Sequence, residues 1–548
     1  MRLKKLLDLL IPGSVLLIPL CTSFVPTKSY AIPPFSRQYG TSCTTCHLDF
    51  PKLNDFGKAF KDAGFKFPKD DADFLKIAPT LLGAEAQKQV WPKSVWPGTI
   101  PGMPPIGLRF NTYFQFTGGS RNQYYPLAAP GTVPQYIPAT DFQTGFFSIF
   151  TAGNFGSDIA FWVDDDISIG GDNGNGGLGD AYLKFVNVSR FLKMPTDSLS
   201  VKVGQFELDL PITQARNWNI SPYDIYSEAN IGAISSIASQ SQNVNNAFTF
   251  AGAAKGVEVS GGHTYGGYHY SLAVFDQNTT APGQTASPYV PSATGGANGG
   301  VGFASDSSYK NVYARLMYRF NLERNKESRD SIMAAGPTGP RDHTYIQFGG
   351  FYLEGNSQQG YAGVSPTGAN TILYAREPYY RAGGDFNFNY RTFNVFGIYM
   401  YGKDHNQLPV DSTGALIPLP VGSTPAVPAG FVSSFPATFN GGFVEADYLV
   451  LPWLMLIQRW DGVDSTADRI NGLMLSTSTP YFGPIRSERN RFTTGIQYLI
   501  HPNIKASFEY QYRPQQINTT SVDPLTGLQI AVNPFRVNTA LFGLEFVY

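Results

Sequence analysis

From about Ile106 to Tyr548 the chain alternates between apolar and polar side chains, segment after segment. In the first segment Leu108, Phe110, Thr112, Phe114 and Phe116 fall on one face, and Arg109, Asn111, Tyr113, Gln115 and Thr117 on the other. Successive side chains of a strand point to opposite sides, so a period of two means a strand with one apolar and one polar face. The pattern recurs in Ala181–Asn187, Ser200–Glu207, Tyr313–Phe320, Phe492–Tyr498 and Lys505–Tyr512. It closes the chain at Phe542–Tyr548, where Phe542, Leu544, Phe546 and Tyr548 share a face. A soluble β-sandwich or β-helix would leave these faces in water, where they aggregate. A transmembrane barrel turns them to lipid and its polar faces to a lumen.

The alternation predicts sixteen strands, near 106–117, 142–152, 158–167, 179–188, 199–208, 246–261, 267–277, 308–320, 342–354, 377–390, 391–402, 440–450, 452–461, 488–499, 502–513 and 535–548. Gly and Ala dilute the sixth. An even count lets both ends lie in the periplasm. Connections at one end are long (118–141, 168–178, 209–245, 278–307, 355–376, 403–439, 462–487, 514–534). Those at the other are mostly short, such as Leu451 and Ile500–His501, the charged stretch 321–341 being the exception. Long outside and short inside is the asymmetry of bacterial outer-membrane barrels. Charged residues are 15% of the chain, against roughly 25% in ordinary soluble domains. The 57 Gly and 40 Pro suit many turns. No apolar run of about 18 residues follows the N-terminus, so no transmembrane helix is expected, in keeping with a mean hydropathy of −0.15. A net charge of −1 argues against a nucleic-acid partner.

The first residues read as a targeting segment. Arg2, Lys4 and Lys5 precede an apolar stretch from Leu9 to Leu20, and Ser29-Tyr30-Ala31 has the small-x-small form of a cleavage site. Residues 1–31 are therefore expected to be a signal peptide cleaved near Ala31, with Ile32 the mature start. Lipidation at Cys21 is disfavoured by the bulky Leu20 before it. Cleavage would leave two cysteines, in Cys43-Thr44-Thr45-Cys46-His47.

A C-x-x-C-H run attaches a c-type haem: two thiols for the vinyl groups on a tight turn, and an imidazole next in line as axial ligand. A redox dithiol would want a thioredoxin-like βαβ setting, a zinc site would want a second pair of ligands, and a chance disulfide leaves His47 unexplained. One covalent haem c is expected, bound by Cys43, Cys46 and His47. Of the other histidines, His263, His269, His343, His405 and His501 all lie in the expected barrel. For the second axial ligand the candidate is Met103, in Pro101-Gly-Met-Pro-Pro105. A loop methionine covering apolar surface is an equal reading. His47 and Met103 are thus the candidate iron ligands, and no catalytic residue is assigned.

Leu53, Phe56 and Phe60 mark one helical face, with Asp49 as a possible N-cap and Gly64-Phe65 as the stop. That face can lie on the porphyrin or on the barrel wall. Sixteen strands leave a lumen wide enough for a plug. The expected fold is all-β: a 16-stranded transmembrane outer-membrane β-barrel over 106–548 and a small, partly helical N-terminal c-type haem plug over 32–105.

The run Pro34-Phe35-x-Arg37-Gln38, Cys43-x-x-Cys46-His47, then Phe50-Pro51-x-Leu53-x-x-Phe56-Gly57-x-x-Phe60-Lys61-x-x-Gly64-Phe65 resembles the fused monohaem cytochrome–porins of the bacterial outer membrane, including the iron-oxidising outer-membrane cytochromes. The match covers about residues 33–65; the barrel agrees in architecture, and a last strand ending in an aromatic resembles the assembly signal of outer-membrane proteins. The resemblance implies electron transfer from extracellular Fe(II) through the haem to a periplasmic c-type cytochrome or copper protein. The same wire run outward to external acceptors, and a solute-diffusion porin with a structural or sensory haem, are the alternatives. Asp164-Asp165-Asp166, ending a strand at the outer side, could concentrate Fe(II); a solvated strand end is the plainer reading. The long loops carry few carboxylates: 278–307 holds only Asp306. Such loops would keep their charge in acid, which points to an acidic exterior; low-complexity drift explains the same composition.

Overall fold

The computed structural model describes residues 34–49, 52–66, 80–81, 99–100, 106–117, 123–124, 135–136, 140–155, 158–167, 177–212, 219–227, 253–276, 309–322, 344–364, 370–405, 407–410, 413–414, 430–433, 436–465, 488–514, 520–522, 529–531 and 538–547. Sixteen antiparallel strands form one closed barrel. They are β1 Ile106–Thr117, β2 Thr140–Phe155, β3 Ile159–Ile167, β4 Gly177–Phe185, β5 Ser200–Phe206, β6 Ala254–Gly262, β7 Gly267–Phe275 and β8 Asn311–Asn321. The second half is β9 Thr344–Val364, β10 Asn370–Tyr390, β11 Phe393–Asp404, β12 Ala437–Leu451, β13 Leu454–Ser465, β14 Glu488–His501, β15 Ile504–Tyr512 and β16 Thr539–Val547. Each pairs with its neighbour in sequence, and β16 closes the ring on β1 from Thr539↔Thr117 to Val547↔Arg109. Closure leaves no unpaired sheet edge, which is what lets strands cross lipid.

The alternation sorts the faces. On β8, Asn311, Tyr313, Arg315, Met317 and Arg319 point into the lumen and are buried, while Val312, Leu316, Tyr318 and Phe320 point outward and are exposed. The same exposed outward band runs through Leu272 and Val274 on β7, Phe508 and Tyr510 on β15, and Phe542 and Leu544 on β16. Aromatic and aliphatic side chains facing out of a closed barrel are stable only against lipid, so this is a barrel of the outer-membrane type.

All sixteen expected strands are present, with shifted ends. β9 and β10 run well past the expected 342–354 and 377–390. Their mutual pairing continues from Gly355↔Tyr379 to Val364↔Asn370, whereas β8 leaves β9 at Glu354 and β11 leaves β10 at Tyr379. The extension is a two-stranded ribbon at the long-loop end, beyond the closed ring of strand pairing. It was not legible because 355–363 is rich in Gly, Ser and Gln, with no lipid-facing alternation. The sixth strand begins at Ala254; the residues 246–252 expected to open it lie outside the described residues. So do residues 1–31, most of the loops on which the acidic-exterior reading rests, and residues 323–343 of the charged connection.

A second long connection at the short-turn end is 186–199. It folds into a compact turn with a 3-10 helix at Val188–Arg190 and left-handed backbone at Asn187, Lys193 and Asp197. Met194 N–H donates to the Ser189 carbonyl and Asp197 N–H to Asn187 Oδ1.

Two stretches of described chain enter the lumen and pack on its wall. Described N-terminal residues occupy the end where β1 begins and β16 ends. Of the expected outward loop 209–245, the described residues 209–212 and 219–227 lie inside the barrel, against its wall. Four lumen-side arginines of the wall, Arg319, Arg381, Arg459 and Arg491, are fully buried. Buried guanidinium groups are tolerated only with partners, and each has an acidic one.

Candidate cofactor site and the lumen around it

The cysteine motif lies in the N-terminal plug, after helix α1 (Pro34–Tyr39). Cys43–Thr45 forms one 3-10 turn, closed by Cys46 N–H to the Cys43 carbonyl at 3.2 Å. Side chains three apart eclipse in such a turn, which brings Cys43 and Cys46 to one side. Both are free thiols. Burial pushes Cys46 up to about 12, with Cys43 adding to the shift, and burial also raises Cys43. Both are therefore neutral thiols near pH 7. His47 follows at once and opens a short hairpin, His47–Asp49 against Lys52–Leu53, in which it stands opposite Leu53.

Asn54 ties this turn to helix α2 (Asp55–Asp62). Its N–H donates to the Cys46 carbonyl at 2.9 Å and its side-chain amide to the Thr45 carbonyl at 3.0 Å, while Oδ1 accepts from Gly57 N–H at 2.8 Å. Asn54 is thus the N-cap, not Asp49. Asn before the first helical residue is a capping signal that the sequence did carry. Gly57 allows the close approach: a Cβ there would stand 2.2 Å from the Cys46 carbonyl oxygen. Leu53 belongs to the hairpin and not to the helical face on which it was expected.

Phe56 and Phe60 bury with Tyr39, Ala59 and Phe65 against Ala152, Ala160, Val186 and Tyr265 of the barrel, and Cys46 borders this cluster. Phe65 meets the Trp162 ring at 5.7 Å. Of the two readings of that face, the wall is the one observed. Two unpaired thiols on one turn, an imidazole next in line and an aromatic wall beside them are a donor set that could hold a c-type haem. Met103 lies outside the described residues. His263 contacts Tyr265 Oη at 2.9 Å through Nδ1, and His269 contacts Asp209 at 3.0 Å through Nε2.

Ionic contacts hold the plug to the wall. Arg319 of β8 grips Asp55 through both guanidinium nitrogens at 2.8 and 2.7 Å, and its guanidinium lies 3.5 Å from the Tyr345 ring centroid. Lys52 donates to Asn394 Oδ1 at 2.5 Å and stands 3.5 Å from Asp447. Thr264 Oγ donates to Asp62 at 2.9 Å. Lys58 lies between Asp55 and the Tyr345 ring; burial, helped by the Arg319 charge, lowers its ammonium to about 8.

The inward segment has its own latch. Helix α3 (Asp224–Ser227) is a single turn, with Asp224 2.9 Å from Arg491 and 3.4 Å from Arg513. Arg491 and Arg459 share Asp461 at 3.1 and 2.8 Å. Arg459 donates to Ser221 Oγ at 2.7 Å, Ser221 Oγ donates to Glu509 at 2.6 Å, and Asn219 donates to Glu445 at 2.7 Å. Hence the segment reaches across the lumen to the wall of β12–β15. The sequence reading missed it because its partners lie more than 200 residues away.

Asp164-Asp165-Asp166 does not converge. Alternation divides the run between faces: Asp164 turns to the Asp180 N–H, its register neighbour Asp165 is exposed on the other side. Among the described residues no group of three or more His, Cys, Asp or Glu side chains is placed to hold a metal ion. The plainer reading, a strand end, is the one the geometry favours.

No protein-family model matches the sequence, and no curated protein does. Among solved structures the chain is similar to outer-membrane proteins. OprB of Pseudomonas putida at high pH is 8% identical with a TM-score of 0.43, over 81% of this chain and 94% of that one. The anion-selective porin from Comamonas acidovorans is 10% identical with a TM-score of 0.40, over 81% and 98%. The trimer form of OmpT from Vibrio cholerae is 8% identical with a TM-score of 0.39, over 81% and 99%. At such identities no residue role passes from one chain to the other.

Proposed function

We propose that this porin-like outer-membrane barrel carries one covalent c-type haem in its plug and moves single electrons across the outer membrane. The observation that carries the reading is the C-x-x-C-H turn placed inside a closed barrel and clamped there by Asp55 and Arg319. Cys43 and Cys46 would hold the haem through thioethers, His47 would supply one axial nitrogen and Met103 is the candidate for the other. When bound, the haem supplies one-electron redox chemistry. The chain's part is to fix the thiols on one turn through Asn54 and Gly57, and to exclude water with the Phe56/Phe60/Phe65 wall. Its barrel carries that turn through an otherwise insulating bilayer. Extracellular Fe(II) is the donor to which the sequence resemblance points, and a periplasmic c-type cytochrome or copper protein the acceptor; the reverse direction differs only in the potentials of the partners.

One observation favours a second reading, a solute-diffusion porin with a structural haem: a closed ring of sixteen strands is wide enough to enclose an aqueous channel. Against it, the gap that Arg109, Asn111, Tyr113 and Glu545 of the wall form with Asn219 and Ile220 of the inward segment holds only about 40 Å³. That space suits water rather than a metabolite. Two measurements on the purified holoprotein separate the readings. Anaerobic Fe(II) should reduce the haem, seen in its absorption, and proteoliposomes should pass sugars poorly. Free sugar flux together with a haem inert to Fe(II) would leave the porin reading.

A further inference from the structure

A column of buried rings joins the two occupants of the lumen. It begins in the inward segment, where Tyr226 and Tyr223 meet edge-on at 6.1 Å between centroids. Tyr223 stacks on Phe443 of β12 at 3.8 Å and 15°. Phe443 meets Phe396 of β11 at 6.3 Å and 85°. The Lys52 ammonium then lies 4.7 Å from the Phe396 centroid. Lys52 belongs to the plug hairpin whose other strand begins at His47. The four rings are each at most 3% exposed. The column thus descends from the inward segment to the hairpin that carries the imidazole, by ring contacts as far as Phe396 and by a cation–ring contact to Lys52.

The inward segment lies between the long-loop end and the plug, latched by the Arg459/Arg491 network. A hydrated donor entering from the loops meets that segment before it can meet the cysteine turn. Electron transfer from there must pass through packed protein, and atoms in van der Waals contact couple two redox centres better than gaps do.

We infer that the Tyr226–Tyr223–Phe443–Phe396 column is the electron path from the inward segment to the haem turn, an inference that rests on the electron-transfer reading above. One electron leaves an outer-sphere donor and one reaches the haem iron; the rings are neither oxidised nor deprotonated in the net step. They are positioning residues that supply coupling. A second stack, Phe150–Trp162–Phe65, with spacings of 5.9 and 5.7 Å, lies on the opposite wall at the plug end and serves as the control.

The test uses holoprotein oriented in proteoliposomes, with hexaammineruthenium(II) added anaerobically on the long-loop side and haem reduction followed by stopped-flow absorption. Tyr223→Leu/Phe443→Leu should slow reduction severalfold, with the haem spectrum and potential unchanged. Tyr223→Phe, which keeps the ring, should restore the rate, and Phe150→Leu should leave it alone. Phe396→Leu supplies an independent break should the double variant fail to form a barrel on a heat-modifiability gel. A wild-type rate in Tyr223→Leu/Phe443→Leu or in Phe396→Leu overturns the column while the electron-transfer reading stands. Slowing that is equal when the donor is added on the plug side overturns it too. A wild-type haem that takes no electron from the loop side overturns the reading and the column together.

Discussion

The plug and the inward segment fill the same lumen by different means. The plug is docked by an apolar face, Phe56, Phe60 and Phe65 against the wall, and pinned by a few ionic contacts of which Asp55–Arg319 is the most buried. The inward segment is held by interlocked charges, with Asp224, Asp461, Glu445 and Glu509 set against Arg459, Arg491 and Arg513. Apolar docking degrades gradually when one contact is removed. A buried charge lattice fails abruptly, since deleting one member leaves the others uncompensated in a poorly hydrated place. The contrast teaches which part of the lumen is built to stay and which can be released by a single change.

The largest effect should come from the thiols. In Cys43→Ala/Cys46→Ala the haem stain on a denaturing gel should vanish completely while barrel mobility persists; a retained stain would remove the distinction between a cofactor-bearing plug and a merely occluding one. Next is Arg491→Ala, which takes one of two guanidinium partners from both Asp224 and Asp461, leaving them to Arg513 and Arg459. It should cost about 3–5 kcal/mol, measured as a lower denaturant midpoint. Ionic conductance of the reconstituted barrel should rise with the haem spectrum unaltered, and unchanged conductance would show that the segment is not held by its charges.

Asp55→Ala takes the carboxylate from Arg319 and Lys58, but Arg319 keeps Asn321 and the Tyr345 ring, and the aromatic face still docks the plug. The cost should therefore be nearer the lower end of the same range, about 3 kcal/mol. The readout is protease sensitivity of the N-terminal segment, with Asp55→Ala/Arg319→Met recovering much of the loss. Asn54→Ala should cost about 1 kcal/mol through the lost helix cap, seen as earlier protease nicking near the cysteine turn. Equal sensitivity in Asn54→Ala and Asp55→Ala would collapse the ranking.

The smallest effect is a pH slope. Lys58 sits at about 8 in the folded plug against an ordinary 10.5. Between those values the unfolded chain binds more protons than the folded one, so plug stability should rise with pH across about 8 to 10.5. Lys58→Met should flatten that slope; a slope unchanged by the substitution would place its origin elsewhere.

How far the chain could be read follows from the range of the interactions. Strand positions such as Leu316/Arg315 declare themselves within a few residues, because lipid on one side and lumen on the other impose a period of two. That is why all sixteen strands were legible. The cysteine turn was legible because its spacing is chemical, and Phe56/Phe60 because a helix repeats locally. Residues that act across the barrel were not. Arg319 gives no sign in sequence that it meets Asp55, 264 positions earlier, and Asp224 none that it will turn inward to Arg491. The long β9–β10 ribbon escaped for a related reason: above the membrane no solvent contrast enforces alternation.

The closed hydrogen-bonded ring between β16 and β1 also fixes an order of events in biogenesis. β16 is the last strand made, and the ring cannot shut before it arrives. Once shut, it encloses Cys43 at 8% exposure and Cys46 behind the Asn54 cap. A macromolecular ligase that joins a porphyrin to both thiols needs that turn extended and within reach. If the turn takes the proposed haem, its attachment would belong to the interval between export and barrel closure, and a chain that inserts too early would be a permanently empty vessel.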